Sequence, residues 1–265
     1  MYIDVWGETD PGQARPDNQD NLFFVHGQGS DVSPRQIQQS GLLLVIADGF
    51  GQGTLGQEAS RYLLHDVVQG YYRAGSHNAP ENLRIAICDA NENAAAHFPQ
   101  QNAAATLIAA VIMQNQLHLA HIGECRAYLL RQGTMRQLTT DHVERGQVTR
   151  YLIADRQAQP DLLLPIELYP GDRLLLCSDG LYDPFPDAAA IHQLARSGSP
   201  QRSVRRLIEK ANQQGGPDNI SVIIADVQNA HPLAGWQKVI LLGLTVLALL
   251  ACLGFIAEII RVLSN

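Results

Sequence analysis

Four aspartates stand at the ends of predicted β-strands in two matching arrangements. Asp48 and Asp179 each follow an apolar run and precede a glycine, whereas Asp20 and Asp218 each precede an asparagine and a second apolar run. If the strands that arrive and the strands that depart are antiparallel, the four carboxylates lie at one end of a sheet. Carboxylates held this close repel one another unless a cation offsets the repulsion.

The residues alone leave two accounts of this pattern open. Carboxylate and carbonyl oxygens are the ligands of hard divalent cations such as Mg²⁺ and Mn²⁺, which favours a metal site. An Asp-Gly pair after a strand is also a frequent turn, and an Asp-Asn pair can serve as a turn or a helix cap. The repetition of each arrangement weighs against turns alone but does not decide between the two accounts.

The elements that must position these aspartates include both strands and helices. Apolar runs and alternation predict strands over residues 21–25, 42–47, 106–113, 116–122, 127–131, 173–178 and 220–227. Helical periodicity predicts helices over residues 56–73, 80–98, 187–196 and 200–213. Because short turns join the middle strands and the helices come in pairs, the order predicts an α+β fold of antiparallel sheets with outer helices.

Short motifs follow one another around the same aspartates. They are Arg15-Pro-Asp-Asn-Gln-Asp20, Ala47-Asp48-Gly49-Phe50, Gly123-Glu124-Cys125-Arg126, Thr140-Asp141-His142, Val148-Thr149-Arg150, Ser178-Asp179-Gly180 and Gly216-Pro-Asp218-Asn219. In this order they resemble the metal-dependent protein serine/threonine phosphatase family, the type 2C class, in a bacterial-like form. The resemblance extends over almost all of residues 1–228.

The resemblance implies both a fold and a metal centre. The fold is a four-layer α-β-β-α sandwich of two antiparallel sheets flanked by helices, with two Mn²⁺ or Mg²⁺ ions in the cleft between the sheet ends. In the family pattern, Asp48 bridges the two ions and the carbonyl of Gly49 binds one of them. Asp179 and Asp218 complete the second site, and Asp20 acts through metal-bound waters.

The implied reaction is hydrolysis of phosphoserine and phosphothreonine in protein substrates. A water that bridges two divalent cations has a lowered pKa and attacks phosphorus in line, without a covalent enzyme intermediate. Arg15 would hold two phosphate oxygens with its planar guanidinium, a geometry that lysine cannot copy. The implied catalytic residues are therefore Arg15, Asp20 and Asp48.

Three departures from the family pattern limit this prediction. Glu124 replaces an aspartate that helps to hold a third, weaker metal, so the third site stays an open question. Phe50 stands where many eukaryotic members have a histidine proposed as general acid, which leaves His121 and His142 as candidates. Only six residues, 143–148, separate His142 from Thr149, where the family usually has a mobile flap. This shortened flap near residues 142–150 predicts an open cleft.

A C-terminal apolar segment follows the motifs. Residues 239–257 carry no charge and are long enough to span a bilayer, and Trp236 and Lys238 stand at its flank, where anchoring residues are typical. We predict a phosphatase domain over residues 1–228, a linker over 229–238 and one transmembrane helix over 239–260. The alternative is a buried core helix, although such a helix is rarely apolar on every face.

Composition and charge limit the partners and the location. The formal net charge of −7 argues against nucleic-acid binding, which requires a basic face. Four cysteines without a C-x-x-C pair and an N-terminus without a secretory signal predict a reducing compartment. The expected location is a membrane crossed once, with the catalytic domain in the cytosol beside phosphorylated proteins and a cognate kinase.

Two other functions stay open. Cys125 stands where the family usually has a serine, next to the altered Glu124. This altered pair and the shortened flap would also suit a membrane-anchored pseudophosphatase that binds phosphoproteins with weak turnover or none. An open cleft would also admit small phosphate esters. Retention of all four aspartates and of Arg15 favours catalysis over the pseudophosphatase, because a decayed site would more readily lose one of them.

Overall fold

The computed structural model describes residues 1–25, 32–74, 78–98, 103–155 and 157–229. These residues belong to one compact unit, Met1–Asn229. Across the described ranges, no helix combines the length and the apolar character that crossing a membrane requires. The predicted transmembrane helix 239–260 lies outside the described residues, as does the linker beyond residue 229, and both stay predictions.

Two antiparallel sheets form the centre of the unit. The first sheet consists of β1 (Tyr2–Asp10), β6 (Arg126–Arg131), β7 (Thr134–Gln137), β12 (Arg173–Cys177) and β13 (Ile220–Gln228), in the order β1-β13-β12-β6-β7. The second sheet consists of β2 (Asp20–Phe24), β3 (Leu42–Gly51), β4 (Ala103–Met113), β5 (Gln116–Ile122) and β10 (Asp161–Leu162), in the order β10-β5-β4-β3-β2. Strand β11 (Ile166–Glu167) also pairs with β5, while β8 (Val143–Glu144) and β9 (Gln147–Val148) form a separate hairpin.

Six helices flank these sheets within the described residues. They are α1 (Pro34–Ser40), α2 (Leu55–Ala74), α3 (Ala79–His97), α4 (Asp179–Tyr182), α5 (Ala188–Ala195) and α6 (Pro200–Gln213). Their first turns carry the expected capping groups, since the side chains of Asn78 and Ser199 accept N–H bonds at the starts of α3 and α6. Ser33 and Gln36 form a complete capping box at α1.

Three apolar cores stack these elements into layers. One core lies between α2, α3 and the second sheet and includes Leu63 and Ile87. Another lies between the two sheets and includes Ile108 and Ile223. The third lies between the first sheet and the last three helices and includes Leu207. The layers are therefore helices, sheet, sheet and helices, and the predicted α+β fold of antiparallel sheets with outer helices is confirmed.

Most of the long elements lie close to their predicted bounds, whereas the nine-residue strand β1 and several short elements were not predicted. Among the described strands, β1 pairs with β13 alone and is mostly half-buried, and acidic Asp4 and Glu8 interrupt its apolar pattern. The strands β8 to β11 have two residues each, which is too short for periodicity to appear. Their positions depend on pairing with distant strands or on a tight turn.

Candidate metal-binding active site

A row of polar side chains ends the apolar core between the two sheets. On β3, Leu44 and Ile46 belong to the core between the sheets, and strand alternation places Asp48 on the same face. The register pairs Asp48 with Asp20 of β2 on one side and with Thr106 of β4 on the other. Like charges directly opposite on neighbouring strands destabilise a sheet, so this pair of aspartates requires compensation.

The first sheet contributes hydroxyl groups to the same row. Ser178 directly follows β12, and its Oγ donates to Oδ2 of Asp20 at 2.7 Å. The same Oγ accepts the backbone N–H of Ser221 on β13 at 2.9 Å. Asp179 comes next in the chain, begins α4 and lines a cleft at this end of the sandwich. The turn after β12 therefore connects the two sheets and delivers a third carboxylate.

Three carboxylates converge on this cleft, which has a volume of about 550 Å³. One side-chain oxygen of each of Asp48, Glu124 and Asp179 lies within 4.8 Å of the others. Glu124 comes from the turn between β5 and β6, and its carboxylate reaches the two aspartates despite the additional methylene. The structure thus brings Glu124 to the same cleft, while its service to a third ion stays a prediction.

Burial and mutual repulsion disfavour the ionised forms of these carboxyl groups. Burial raises the pKa of Asp20 to about 6. Burial, followed by the charge of Asp20, raises the pKa of Asp48 well above its ordinary range. Burial, followed by the charge of Glu124, does the same to the pKa of Asp179. A divalent cation among these oxygens would reverse each shift, because it favours the ionised forms.

Among the described residues that line the cleft, Arg15 alone has a cationic side chain. Its Nη2 donates to Oδ2 of Asp218 at 2.6 Å, and its side chain is 55% exposed. This hydrogen bond raises the pKa of Arg15. Asn219 ties down the loop that carries Arg15, since its Oδ1 accepts the N–H of Gln19 at 2.8 Å and its Nδ2 donates to the carbonyl of Asp17 at 2.9 Å.

Gly49 occupies a position that no side chain could share. A Cβ there would lie 2.1 Å from the carbonyl oxygen of Gly56 in α2, far inside van der Waals contact. Glycine therefore lets β3 pack directly against the helix just after Asp48. The structure places Gly49 in the lining of the cleft, and the predicted role of its carbonyl as a metal ligand stays a prediction.

The residues present fit a divalent cation. Oδ1 of Asp20 is buried and has no hydrogen-bond partner among the described residues. Acidic side chains also outnumber cationic ones in the described lining of the cleft. A donor set made of carboxylates and a carbonyl suits Mg²⁺ or Mn²⁺ rather than a softer metal. The residues that would hold such ions are Asp48, Gly49, Asp179 and Asp218, with Glu124 and Asp20 beside them.

The predicted proton donors lie away from the cleft. His121 and His142 stack on each other with ring centroids 4.8 Å apart, and no histidine is found among the described residues that line the cleft. Phe50 does line it, is 38% exposed, and meets the ring of Tyr151 edge to face with centroids 5.6 Å apart. At the position of Phe50, the wall of the cleft beside the carboxylates is therefore aromatic and offers no proton donor.

The shortened flap forms a compact hairpin. Strands β8 and β9 pair through Val143 with Val148 and through Glu144 with Gln147. Gln147 and Val148 line the cleft beside the carboxylates. The hairpin therefore forms one short wall of the cleft, while its description as a shortened family flap stays a prediction.

Sequence reasoning missed the buried hydroxyl groups that lie in the same row as the aspartates. Thr106, Ser178 and Ser221 are fully buried at the level of Asp20 and Asp48. Strand alternation offered a signal, because Thr106 stands two residues before Ile108 and Ser221 two residues before Ile223, both in the core between the sheets. A polar residue two positions before the first core residue of a buried strand therefore indicates that the strand end lies beside a functional site.

A model of the family described as Protein phosphatase 2C matches residues 18–252 of the chain. The match covers most of the sequence, and the layered fold and carboxylate cleft agree with it. The chain therefore belongs to the protein phosphatase 2C family.

Bacterial phosphatases are similar to the chain in sequence and structure. The serine/threonine protein phosphatase PstP of Mycobacterium tuberculosis is 31% identical over 242 residues, which cover 83% of this chain and 44% of that protein. The chain thus spans less than half the length of this relative. The serine/threonine phosphatase stp of Listeria innocua is 27% identical over 246 residues, covering 82% of this chain and 93% of that protein. A crystal structure of the PstP catalytic domain in complex with two manganese ions has a TM-score of 0.74 and 30% identity, covering 86% of this chain and 99% of that one.

Proposed function

We propose that this chain is a metal-dependent protein phosphatase that hydrolyses phosphoserine and phosphothreonine. The observation that carries the proposal is the convergence of Asp48, Glu124 and Asp179, whose oxygens lie within 4.8 Å of one another in a cleft that Arg15 also lines. Membership of the protein phosphatase 2C family supports it, as do the two manganese ions in the structure of the PstP catalytic domain.

The residues of the cleft divide between binding cations and binding substrate. Asp48, Asp179 and Asp218 would hold two Mn²⁺ or Mg²⁺ ions together with the carbonyl of Gly49. When bound, the ions supply Lewis-acid activation of the attacking water and offset the charge of the phosphate. Asp20, which accepts the hydroxyl of Ser178 and lies directly opposite Asp48, would act through waters bound to the ions.

Arg15 binds the phosphate of the substrate. Its side chain is more than half exposed and is held at one end only, by Asp218. Its planar guanidinium has the geometry to donate two parallel hydrogen bonds to phosphate oxygens. The short β8–β9 hairpin leaves room around this group for a phosphorylated side chain presented by a protein surface.

Phosphate release from a phosphothreonine peptide tests this function. The full chain in mild detergent should be active with Mn²⁺ and inactive after EDTA, and Asp179→Asn should abolish the activity. Asp66→Asn is a matched control, because Asp66 lies on α2 and contacts Asn93 rather than the cleft. Equal rates with and without Mn²⁺, or full activity in Asp179→Asn, would contradict the proposal.

The same assay separates the alternatives. A pseudophosphatase would bind the phosphopeptide in the presence of Mn²⁺ but release no phosphate. A phosphatase of small esters would hydrolyse sugar phosphates faster than the phosphopeptide at equal concentration. We expect turnover of the peptide to exceed that of a sugar phosphate, since the cleft is open and its walls are partly apolar.

We also propose that residues 239–260 anchor the catalytic domain to a membrane from the cytosolic side, near a kinase that phosphorylates the same proteins. The support is the uncharged run over 239–257. The full chain should resist alkaline carbonate extraction from membranes, and Leu249→Arg should weaken insertion by ~2.5–3.5 kcal/mol. Extraction of the unaltered chain by carbonate would refute the anchor, and Ser264→Arg serves as the control.

A further inference from the structure

The turn that carries Glu124 is held under backbone constraint. Gly123 has φ +101°, and a Cβ there would lie 2.2 Å from Cγ2 of Thr106, so the turn presses directly on β4. The hydroxyl of Tyr182 donates to the carbonyl of Glu124 at 3.0 Å. The guanidinium of Arg126 lies over the Tyr182 ring, 3.4 Å from its centroid. The direction of Glu124 therefore depends on what fixes the two ends of this turn.

Two consecutive residues hold those two ends. Asp141 accepts from Arg126, with Nε and Nη2 at 2.9 and 2.6 Å from Oδ2. His142 binds Gly123 twice, because its backbone N–H donates to the Gly123 carbonyl at 2.9 Å and its Nδ1 accepts the Gly123 N–H at 2.9 Å. A side chain and a backbone group of one residue thus close the N-terminal end of the turn.

A carboxylate on the edge strand orients the His142 ring. Nε2 of His142 lies 3.0 Å from Oδ2 of Asp161, whose Oδ1 pairs with Nη2 of Arg150 at 2.8 Å. Hydrogen bonding to Arg150 lowers the pKa of Asp161 to about 2, so the carboxylate is ionised. The ring of His121, directly opposite Asp161 in the strand register, stacks on His142 with an interplanar angle of 9°.

These three side chains also have the composition of a metal site, but their hydrogen bonds favour a different role. Side-chain donor atoms of His121, His142 and Asp161 lie within 4.8 Å of one another. However, Nδ1 of His142 accepts the Gly123 N–H, so a neutral ring carries its proton on Nε2. Nε2 lies 3.0 Å from Oδ2 of Asp161 and 2.7 Å from Nη1 of Arg150. A proton on Nε2 can be accepted only by the carboxylate, because the guanidinium has no acceptor atom. The positive charge of Arg150 beside Nε2 also disfavours a cation at this position.

We propose that His142, oriented by Asp161, is a positioning residue that fixes the turn Gly123–Arg126 so that Glu124 takes part in cation binding. This inference rests on the cation site of the proposed function. It explains how a glutamate can stand in place of an aspartate, since a longer side chain needs a more firmly held backbone to place its carboxylate. The short hairpin begins directly after His142, and the hydrogen bonds between His142 and Gly123 form without a longer flap.

Mn²⁺ titration of the full chain by calorimetry tests the inference. The Glu124→Gln variant is titrated first, and the Mn²⁺-binding step whose affinity it weakens is the step to which Glu124 contributes. His142→Ala should weaken the same step by ~10-fold or more. His142→Asn, whose carbonyl oxygen can take the place of Nδ1, should restore most of the affinity. His142→Gln, which reaches only the position of Nε2, should not. Asp161→Asn should weaken the step less than His142→Ala.

Matched controls separate this role from a general loss of packing. Glu167→Gln alters a carboxylate on β11, the other short strand paired with β5, and His118→Asn alters a buried imidazole on β5 that has no partner among the described residues. Neither should change Mn²⁺ affinity. Equal affinity in His142→Ala and the unaltered chain, or equal rescue by Asn and Gln, would overturn the inference.

Amide hydrogen exchange keeps the inference apart from the proposed function. His142→Ala should accelerate exchange of the Gly123 N–H, and His142→Asn should slow it again. If the unaltered chain binds no Mn²⁺, the proposed function fails, while the exchange rates still decide whether His142 holds the turn. Unchanged exchange at Gly123 in His142→Ala would overturn the inference by itself.

Discussion

Acidic side chains lie at both ends of the sandwich of two sheets, but their partners differ. At the end away from the cleft, Asp172 is buried and receives bonds from Nε and Nη2 of Arg131 at 2.8 and 2.6 Å. Asp226 receives bonds from Nε and Nη2 of the buried Arg173 at 2.5 and 2.6 Å. At the cleft, several carboxylates share the single arginine of its described lining, Arg15. One end carries its own counter-charges, whereas the other leaves an acidic excess that suits a bound cation.

The largest expected effect removes a carboxylate from the acidic end. Asp48→Asn should lower kcat/KM for a phosphothreonine peptide by more than ~100-fold at saturating Mn²⁺, since loss of a ligand should exceed the 10–100-fold typical of residues that only support one. Steady-state phosphate release measures this. A rate within threefold of the unaltered chain would show that Asp48 does not belong to the centre.

Removal of a carboxylate from the paired end should affect stability instead. Asp226→Ala removes the only carboxylate that pairs with the buried Arg173 guanidinium among the described residues, although three oxygen acceptors remain. Loss of this counter-charge should lower the free energy of unfolding by ~3 kcal/mol. Urea denaturation with and without Mn²⁺ should give the same decrement. The exposed helical pair of Glu81 and Arg84 provides the control, and Glu81→Ala should change stability far less than Asp226→Ala, because solvent screens an exposed pair. Similar decrements in the two variants would remove the contrast between the ends.

The acidic end should also give the metal-free chain an unusual pH dependence. The pKa of Asp20 is about 6 in the folded chain, above its unfolded value of ~4. The folded state therefore binds more protons, and stability present below pH ~4 is lost as the pH rises through 6, by about 3 kcal/mol. Calorimetric Tm values in EDTA from pH 4.5 to 7.5 should fall. Asp20→Asn should reduce this fall without removing it, because the pKa values of Asp48 and Asp179 are also raised. A Tm that rises over this range would contradict the assignment.

The smallest effect concerns the arginine at each end. Arg15→Lys should raise KM about tenfold, because an ammonium cannot donate two parallel bonds to phosphate. It should change the unfolding free energy by less than ~1 kcal/mol, since the pair with Asp218 is exposed. Arg131→Lys should show the opposite pattern, with lower stability and an unchanged KM. An unchanged KM in Arg15→Lys would remove this residue from substrate binding.

The central strands and long helices could be predicted because local pattern determines them. Strand β5 and helix α6 have the same bounds in sequence and structure, since a buried apolar run and a capped amphipathic segment leave little choice. The gathering of Asp20 beside Asp48 also followed from strand order, as the register places them directly opposite. These features can be predicted from residues that are close in the sequence, together with the assumption that the strands are antiparallel.

The remainder of the site depends on contacts that no local pattern encodes. The reach of Glu124 to Asp179 requires a turn held by His142, and that histidine is oriented by a carboxylate on a two-residue strand. Each partner lies many residues away in the chain, so neither spacing nor periodicity indicates it. The motif resemblance supplied the identities of the residues but not the contacts that aim them.

The alternation along β3 restricts how this protein can change during evolution. Leu43 and Val45 face the helices, whereas Leu44 and Ile46 face the other sheet. Insertion or deletion of one residue within β3 would exchange these faces and turn Asp48 toward α2. We therefore expect active descendants of this chain to keep the length of Leu42–Gly51 fixed. The hairpin over residues 143–148 has no such parity and can gain or lose residues, so new substrate preferences should arise there.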